Sequence, residues 1–186
     1  MTTIPVPVAG GDIEASWGAA FADAINSTTR TANASVTTTE TQCIGKTFSA
    51  NTLAVGTCIQ LDAWFTISSS AANTVTFAVR IGSTTLTGTV AAQVAPTTTN
   101  TASDHSVRVT ALVTIRSTGV SGTAIGGISF VAIETQPFTV GHRTDQETAT
   151  ITVDTTASKI VELTVDCSAG TTTAVCRQAF LQVIAP

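Results

Sequence analysis

The sequence predicts an all-β chain: an antiparallel jelly-roll sandwich of about eight strands, preceded by an extended arm and one short helix. Three observations carry this. Long stretches alternate apolar and polar residues with period two, which puts one face of each strand in a core and the other toward water. Turn-prone clusters of Gly, Pro, Ser, Asn and Asp punctuate these stretches at near-regular spacing. Thr makes up about a fifth of the 186 residues, and a β-branched hydroxyl side chain suits the outer face of a strand. Eight strands favour a jelly roll over a seven-stranded immunoglobulin sandwich, whose Cys–Trp–Cys spacing is lacking because Trp64 follows Cys58 too closely.

Two segments follow from composition. Residues 1–42 form an arm and helix, and residues 43–186 the sandwich. Residues 1–11 (MTTIPVPVAGG) are extended, because Pro5 and Pro7 lock φ and remove two backbone donors. Over residues 12–26, Ile13, Trp17, Ala20, Phe21, Ala24 and Ile25 recur at three- and four-residue steps as one apolar stripe. Asp12 is placed to cap this helix, and Glu14 lies in its first turn, where the helix dipole favours an anion. The stripe must dock on its own sandwich or on a neighbour. Residues 27–42 (STTRTANASVTTTETQ) have little periodicity and suit a linker.

The strands come next. Residues 44–48 and 53–55 open the sandwich. Residues 58–68 carry Ile59, Leu61, Ala63, Phe65 and Ile67 on one face, and residues 75–82 carry Val75, Phe77, Val79 and Ile81; SSSAAN between them suits a hairpin connection. Residues 85–94, 107–115, 127–134 and 148–153 continue the pattern, with loops at 96–104 and 135–147. In residues 159–167 the inward set is Val161, Leu163, Val165 and Cys167. The last strand, 177–184, is apolar on both sides: Ala179, Leu181 and Val183 on one, Phe180 and Ile184 on the other. Such a strand sits at a sheet centre or lines a subunit contact. Phe180 and Ile184 are therefore the candidate subunit contact, the trimer contact if the chain is a homotrimer as the resemblance below implies.

Charged residues make up 11 % of the chain, against about 25 % in an ordinary soluble domain. A hydroxyl surface replaces a charged one, and the mean hydropathy of +0.36 suggests outer faces buried by other subunits. The net charge is −4, and two Lys and six Arg are scattered singly, so there is no basic stripe for nucleic acid. No charged-then-apolar leader opens the chain. The most apolar window, residues 124–133, contains two glycines and is too short to span a bilayer.

Motifs for chemistry are sparse. Cys167 and Cys176 flank SAGTTTAV between two predicted neighbouring strands, so a hairpin would bring them within disulfide reach. Cys43 and Cys58 bracket the opening strands, and four cysteines allow three pairings. Neither C-x-x-C pairs nor adjacent His are present for zinc. His142, Asp145 and Glu147 lie together in GHRTDQE, a set that fits a solvated turn better than a cation site. Residues 127–131 (GISFV) lack the second glycine of a nucleophile elbow. Asp154 and Asp166 are an acidic pair with nothing to place them in a cleft. No cofactor is implied, and the chain is expected not to be an enzyme.

The segments NTLAVGTCIQLDAWFTIS, TVTFAVRIG with Thr85-Leu86, HSVRVTALVTIRSTGVSGTAIGGISF, VDTTASKIVELTVDCSAG and the closing RQAFLQVI resemble, in the same order, the jelly-roll domain of tailed-phage virion surface proteins. The resemblance covers about residues 52–184. It departs at Cys167, where the family pattern has an aromatic residue. The opening, IPVPVAGGDIEASWGAAFADAIN, is similar to segments that attach phage minor structural proteins to the particle. The resemblance implies a non-enzymatic homotrimer on the virion surface, partnered by itself and by the major capsid protein or other virion proteins. Ile13, Trp17, Phe21 and Ile25 would then grip the particle. Two classes stay open under it. One is a capsid decoration, cement or head-fibre protein; the other is a tail-fibre or tail-tip protein that contacts a host glycan.

Overall fold

The computed structural model describes residues 28–30, 34–98, 102–133, 138, 142–146 and 149–185. The helix expected at residues 12–26, with Ile13, Trp17, Phe21 and Ile25, lies outside them. The described chain is all-β and antiparallel. Its strands are β1 (Thr28–Arg30), β2 (Ala34–Val36), β3 (Thr41–Phe48), β4 (Cys58–Ser69), β5 (Val75–Gly82), β6 (Thr89–Val94), β7 (Ala102–Ser117), β8 (Thr123–Ala132), β9 (His142–Gln146), β10 (Ile151–Thr152), β11 (Lys159–Cys167) and β12 (Thr172–Ala185). The larger sheet runs β12-β4-β7-β8. The short β1 and β2 share the free edge of β12, and β9 and β10 share that of β8. The smaller sheet runs β3-β11-β5-β6.

The alternating strands each bury one face, as their period demands. Ile59, Leu61, Ala63, Phe65 and Ile67 of β4 are buried, as are Val107, Val109, Ala111, Val113 and Ile115 of β7 and Val161, Leu163 and Val165 of β11. The two sheets meet through aromatic rings. The Phe65 and Phe77 centroids lie 5.0 Å apart, Phe77 and Phe130 5.8 Å, and Phe130 and Phe138 4.8 Å. These are offset and edge contacts that add to the apolar burial.

The connections differ from the expected hairpins. β4 and β5 do not pair; the turn between them carries the chain from the larger sheet to the smaller. Their apolar faces thus meet across the core rather than side by side, which period-two patterning alone cannot distinguish. The same holds for β11 and β12, which lie in opposite sheets. The hairpin that was to bring Cys167 and Cys176 together is therefore a crossover, and neither is in a disulfide in this structure. In β12 a register shift between Cys176 and Gln178 keeps both Cys176 and Ala179 facing the core.

Residues 83–88 do not continue the expected strand at 85–94. They curl over the outer side of the smaller sheet, where the Leu86 N–H donates to Glu162 Oε1 at 2.7 Å. Leu86 sits at φ +64°, a conformation that costs an L-residue about 1–2 kcal/mol and persists only when its surroundings hold it. Gln42 Nε2 of β3 donates to the other Glu162 oxygen at 2.6 Å, so this buried carboxylate ties the turn to β3.

Candidate interaction surface

The outer face of the larger sheet is where the side chains depart from a solvated, hydroxyl-rich surface. Strand register sets its rows. Trp64 on β4 lies opposite Arg108 on β7, which lies opposite Val131 on β8. One row along, Phe180, Asp62, Thr110 and Ser129 align across β12, β4, β7 and β8. In the next, Gln182, Gln60, Leu112 and Gly127 align.

Asp62 points outward yet is completely buried. A carboxylate there needs a partner, because burying an unpaired charge is prohibitive. Arg108 supplies it: Nε donates to Oδ1 and Oδ2 at 3.0 Å, and Nη2 donates to Oδ2. Thr110 Oγ1 adds a longer bond to Oδ2 at 3.3 Å. Hydrogen bonding to Asp62, and then its charge, raises the Arg108 pKa above its ordinary value. The held guanidinium lies 5.6 Å from the Trp64 ring centroid, a cation–π distance. The chain thus uses a buried carboxylate and a half-exposed guanidinium to fix an aromatic side chain that remains 39 % exposed in the middle of a sheet.

Other large apolar side chains are spread along this face, Val131 in the Trp64 row and Leu112 and Ile184 toward the far ends of β7 and β12. Leu112 is 42 % exposed, and Val131 and Ile184 are also exposed on this face. Phe180 is half-buried, with Thr29 of β1 opposite it in register. Beside Leu112 lies a groove of about 330 Å³, walled by Thr110, Leu112, Thr114, Ile125, Ser129 and Thr144; Asp145, opposite the inward Ile128, turns its carboxylate to the Gln93 N–H of the other sheet. The floor of the groove is the backbone at Gly126 and Gly127. Gly127 faces outward, and its lack of a side chain opens the groove; Gly126 faces inward, where a Cβ would meet the backbone and the Cβ of Ala91, the latter at 2.8 Å. The sequence reading missed this ion pair, because Asp62 and Arg108 lie 46 residues apart. A carboxylate inside the apolar run LDAWF was its one visible sign.

The remaining candidates lie elsewhere. Asp154 precedes β11 and Asp166 nearly ends it, so this acidic pair sits at opposite ends of one strand. His142 and Asp145 fall on β9, a strand within the expected loop, while Glu147 lies outside the described residues. Among the described residues no group of three His, Cys, Asp or Glu is placed to hold a metal ion. On the smaller sheet, burial pushes the Glu40 pKa up, but hydrogen bonds from Arg80 (2.8 and 3.0 Å) and Thr164 (2.6 Å), with the Arg80 charge, outweigh it and hold it below its ordinary value. A carboxylate lowered on folding contributes stability above its unfolded pKa, near 4.3, and loses it as pH falls through the folded value. The stability gap between the wild type and Glu40→Gln should therefore be widest at neutral pH and close in acid, as measured by urea titrations from pH 7 to pH 3. A constant gap would refute the assignment.

Cys167 is buried, and burial first, then the charge of Asp166, pushes its thiol up to about 11. Since the thiolate is the reactive form, Cys167 should resist iodoacetamide at pH 8 in the folded protein and react once unfolded. Peptide mapping would show this. Prompt labelling of the native chain would contradict the placement.

No family model matches the chain, and no curated protein matches it. Among solved structures, it is similar to the CBM2 module of the evolved Dit of Lactobacillus casei BL23 phage J-1, at 11 % identity and TM-score 0.34, covering 75 % of this chain and 68 % of that one. It is also similar to lectin I of Ulex europaeus, solved with the methyl glycoside of α-L-fucose, at 12 % identity and TM-score 0.32, covering 67 % and 70 %. Likenesses at this level do not bear on function.

Proposed function

We propose that the chain is a non-enzymatic structural protein of a phage particle, a homotrimeric decoration or head-fibre subunit on the virion surface. The observation that carries this is the outer face of the larger sheet, along which Trp64, Leu112, Val131 and Ile184 are exposed on a chain with 11 % charged residues. Exposed apolar patches of this kind mark interaction surfaces, and a held Trp and Arg at the centre are the residue types that dominate interface energies. Phe180 and Ile184 extend the same face along β12, as the candidate trimer contact. Strand order supports the jelly-roll reading. β12-β4-β7, edged by β1 and β2, and β3-β11-β5-β6 interleave as two four-stranded sets. On this reading β8, β9 and β10 are an added flap that widens the interaction face.

Ile13, Trp17, Phe21 and Ile25 provide the attachment to the major capsid protein or another virion protein. Fully burying such side chains contributes roughly 1.5–3 kcal/mol each. Light scattering of the full chain after gel filtration should give the mass of a trimer, and Phe180→Asp should shift it toward monomer. A monomer at micromolar concentration in the wild type overturns the proposal. Trp17→Asp with Phe21→Asp should leave the trimer intact and abolish cosedimentation with particles; unchanged cosedimentation removes those residues from the attachment.

A further inference from the structure

The row centred on Trp64 carries more than apolar surface, and we infer that it binds an acidic saccharide, a pyranose bearing a carboxylate. Guanidinium groups flank Trp64 on both neighbouring strands. On β7, Arg108 lies opposite it in register and stands 5.6 Å from the ring centroid. On β12 the pairing with β4 steps from Cys176–Phe65 to Gln178–Trp64, so Arg177 is an extra residue inserted beside Trp64. Arg177 and Gln178 are both exposed, between the buried Cys176 and Ala179. Two successive side chains thus leave the same side of an interior strand. A β-bulge has this effect, breaking the alternation to re-aim a side chain, and bulges concentrate beside functional sites. Arg177 Nε donates to Thr66 Oγ1 at 3.0 Å, which holds the guanidinium on the Trp64 face, two residues along β4.

Charge and shape select the ligand. Asp62 accepts from Nε and Nη2 of Arg108, and Thr66 accepts from Nε of Arg177. Among the described residues, Nη1 of Arg108 and both terminal nitrogens of Arg177 have no acceptor. Asp62 is buried and already matched by Arg108, while the exposed Asp104 bonds to Ser68, four residues from Trp64 along β4. Positive charge is therefore left over here, on a chain whose net charge is −4. An anion is its complement, and a guanidinium fork holds a carboxylate through two parallel bonds. Trp64 adds an exposed indole already oriented by Arg108, so little side-chain entropy is lost on binding. A ligand that answers both features is apolar on its ring face, with polar groups and a negative charge around its rim. A carboxylated pyranose has this form. Its C–H groups stack on the electron-rich indole, while its rim reaches the guanidinium groups and the Gln178 amide. An acidic peptide shares the charge but offers no such ring. The subunit contact proposed at Phe180 and Ile184 begins one row away and runs toward the far end of β12, leaving the Trp64 row outside it.

The test is calorimetric titration of the full-length protein with trigalacturonate, its methyl ester and a triglutamate peptide, all at one low ionic strength. The ester keeps the rings and removes the charge; the peptide keeps the charge and removes the rings. Trigalacturonate should bind saturably, and at least tenfold more tightly than either of the others. Trp64→Ala should weaken it at least tenfold. Arg177→Gln should bring trigalacturonate down toward the affinity of its ester while leaving the ester unchanged. Because Arg177 is exposed, this variant reports on binding even where Trp64→Ala weakens the fold, which circular dichroism melts would reveal. Light scattering reads the oligomer separately, so failure of this site and failure of the assembly proposed above are distinguishable. Equal binding of the ester, or of the triglutamate peptide, overturns the assignment, the latter by making the row an acidic-peptide site. Binding untouched by both substitutions places the saccharide elsewhere and overturns it as well. So does the absence of saturable binding by both trigalacturonate and sialyllactose at millimolar concentration.

Discussion

Replacing Arg108 with Met will destabilise the folded chain by about 3–5 kcal/mol, the largest single-residue effect expected outside the aromatic core. The substitution keeps an apolar stem beside Trp64 but leaves Asp62, completely buried, without its three donor contacts from the guanidinium. Thr110 remains within reach and cannot neutralise a charge. Removing both partners should do far less harm. Asp62→Leu combined with Arg108→Met should recover most of the loss, because a well-packed apolar pair needs no desolvated charge. Urea titrations at one fixed protomer concentration compare the three proteins. A single variant within about 0.5 kcal/mol of wild type, the scale of an ordinary surface change, would show that the carboxylate is not buried in solution.

Gly126→Val should cost about 1–3 kcal/mol or more, by forcing a side chain into a space the backbone already fills. The inward face of β8 at Gly126 abuts Ala91 of β6, in the opposite sheet. A Cβ there meets backbone, which cannot swing aside as a flexible side-chain end can. The sheets must separate locally, and the layer containing Phe77 and Phe130 loosens with them. Adding the same side chain at the adjacent Gly127 should change monomer stability little, since it enters an open groove. Urea midpoints for the two variants therefore diverge, and equal midpoints would mean that the two glycines do not face opposite sides of the sheet.

These neighbouring glycines show how far the sequence can be read. Alternation revealed β4, β5, β7 and β11 with their inward sets, and the presence of β8 and β12, because period two is a local property. Which strand lies beside which is not local. SSSAAN suits a hairpin and a crossover between sheets equally well, so β4 and β5 were expected to pair and instead face each other through Phe65 and Phe77. Leu86 and Gly88 fit the alternation of a strand, but Glu162, 76 residues further on, holds that turn over the sheet. β9 has no alternation to announce it, since as an edge strand it buries little. The exposed apolar residues of the larger sheet were legible only as a lack of charge. The centre of that outer face depends on Arg108 arriving across β4 from a distant part of the chain.

The alternation of the chain between sheets also governs the order in which the fold can form. β12 is interior to the larger sheet, bonded to β4 on one side and to β1 and β2 on the other. β11 is interior to the smaller sheet, between β3 and β5. The two strands that join early segments to the rest are thus the last two of the twelve to leave the ribosome. Until then β1, β2 and β3 have no strand to pair with, and the smaller sheet is only β5 and β6. Pairings that span so much sequence make folding slow, and the early strands wait as unpaired edges that are prone to aggregation. A sparse complement of charges offers those edges little protection, so rapid capture of finished subunits by one another would shorten the interval in which they are exposed.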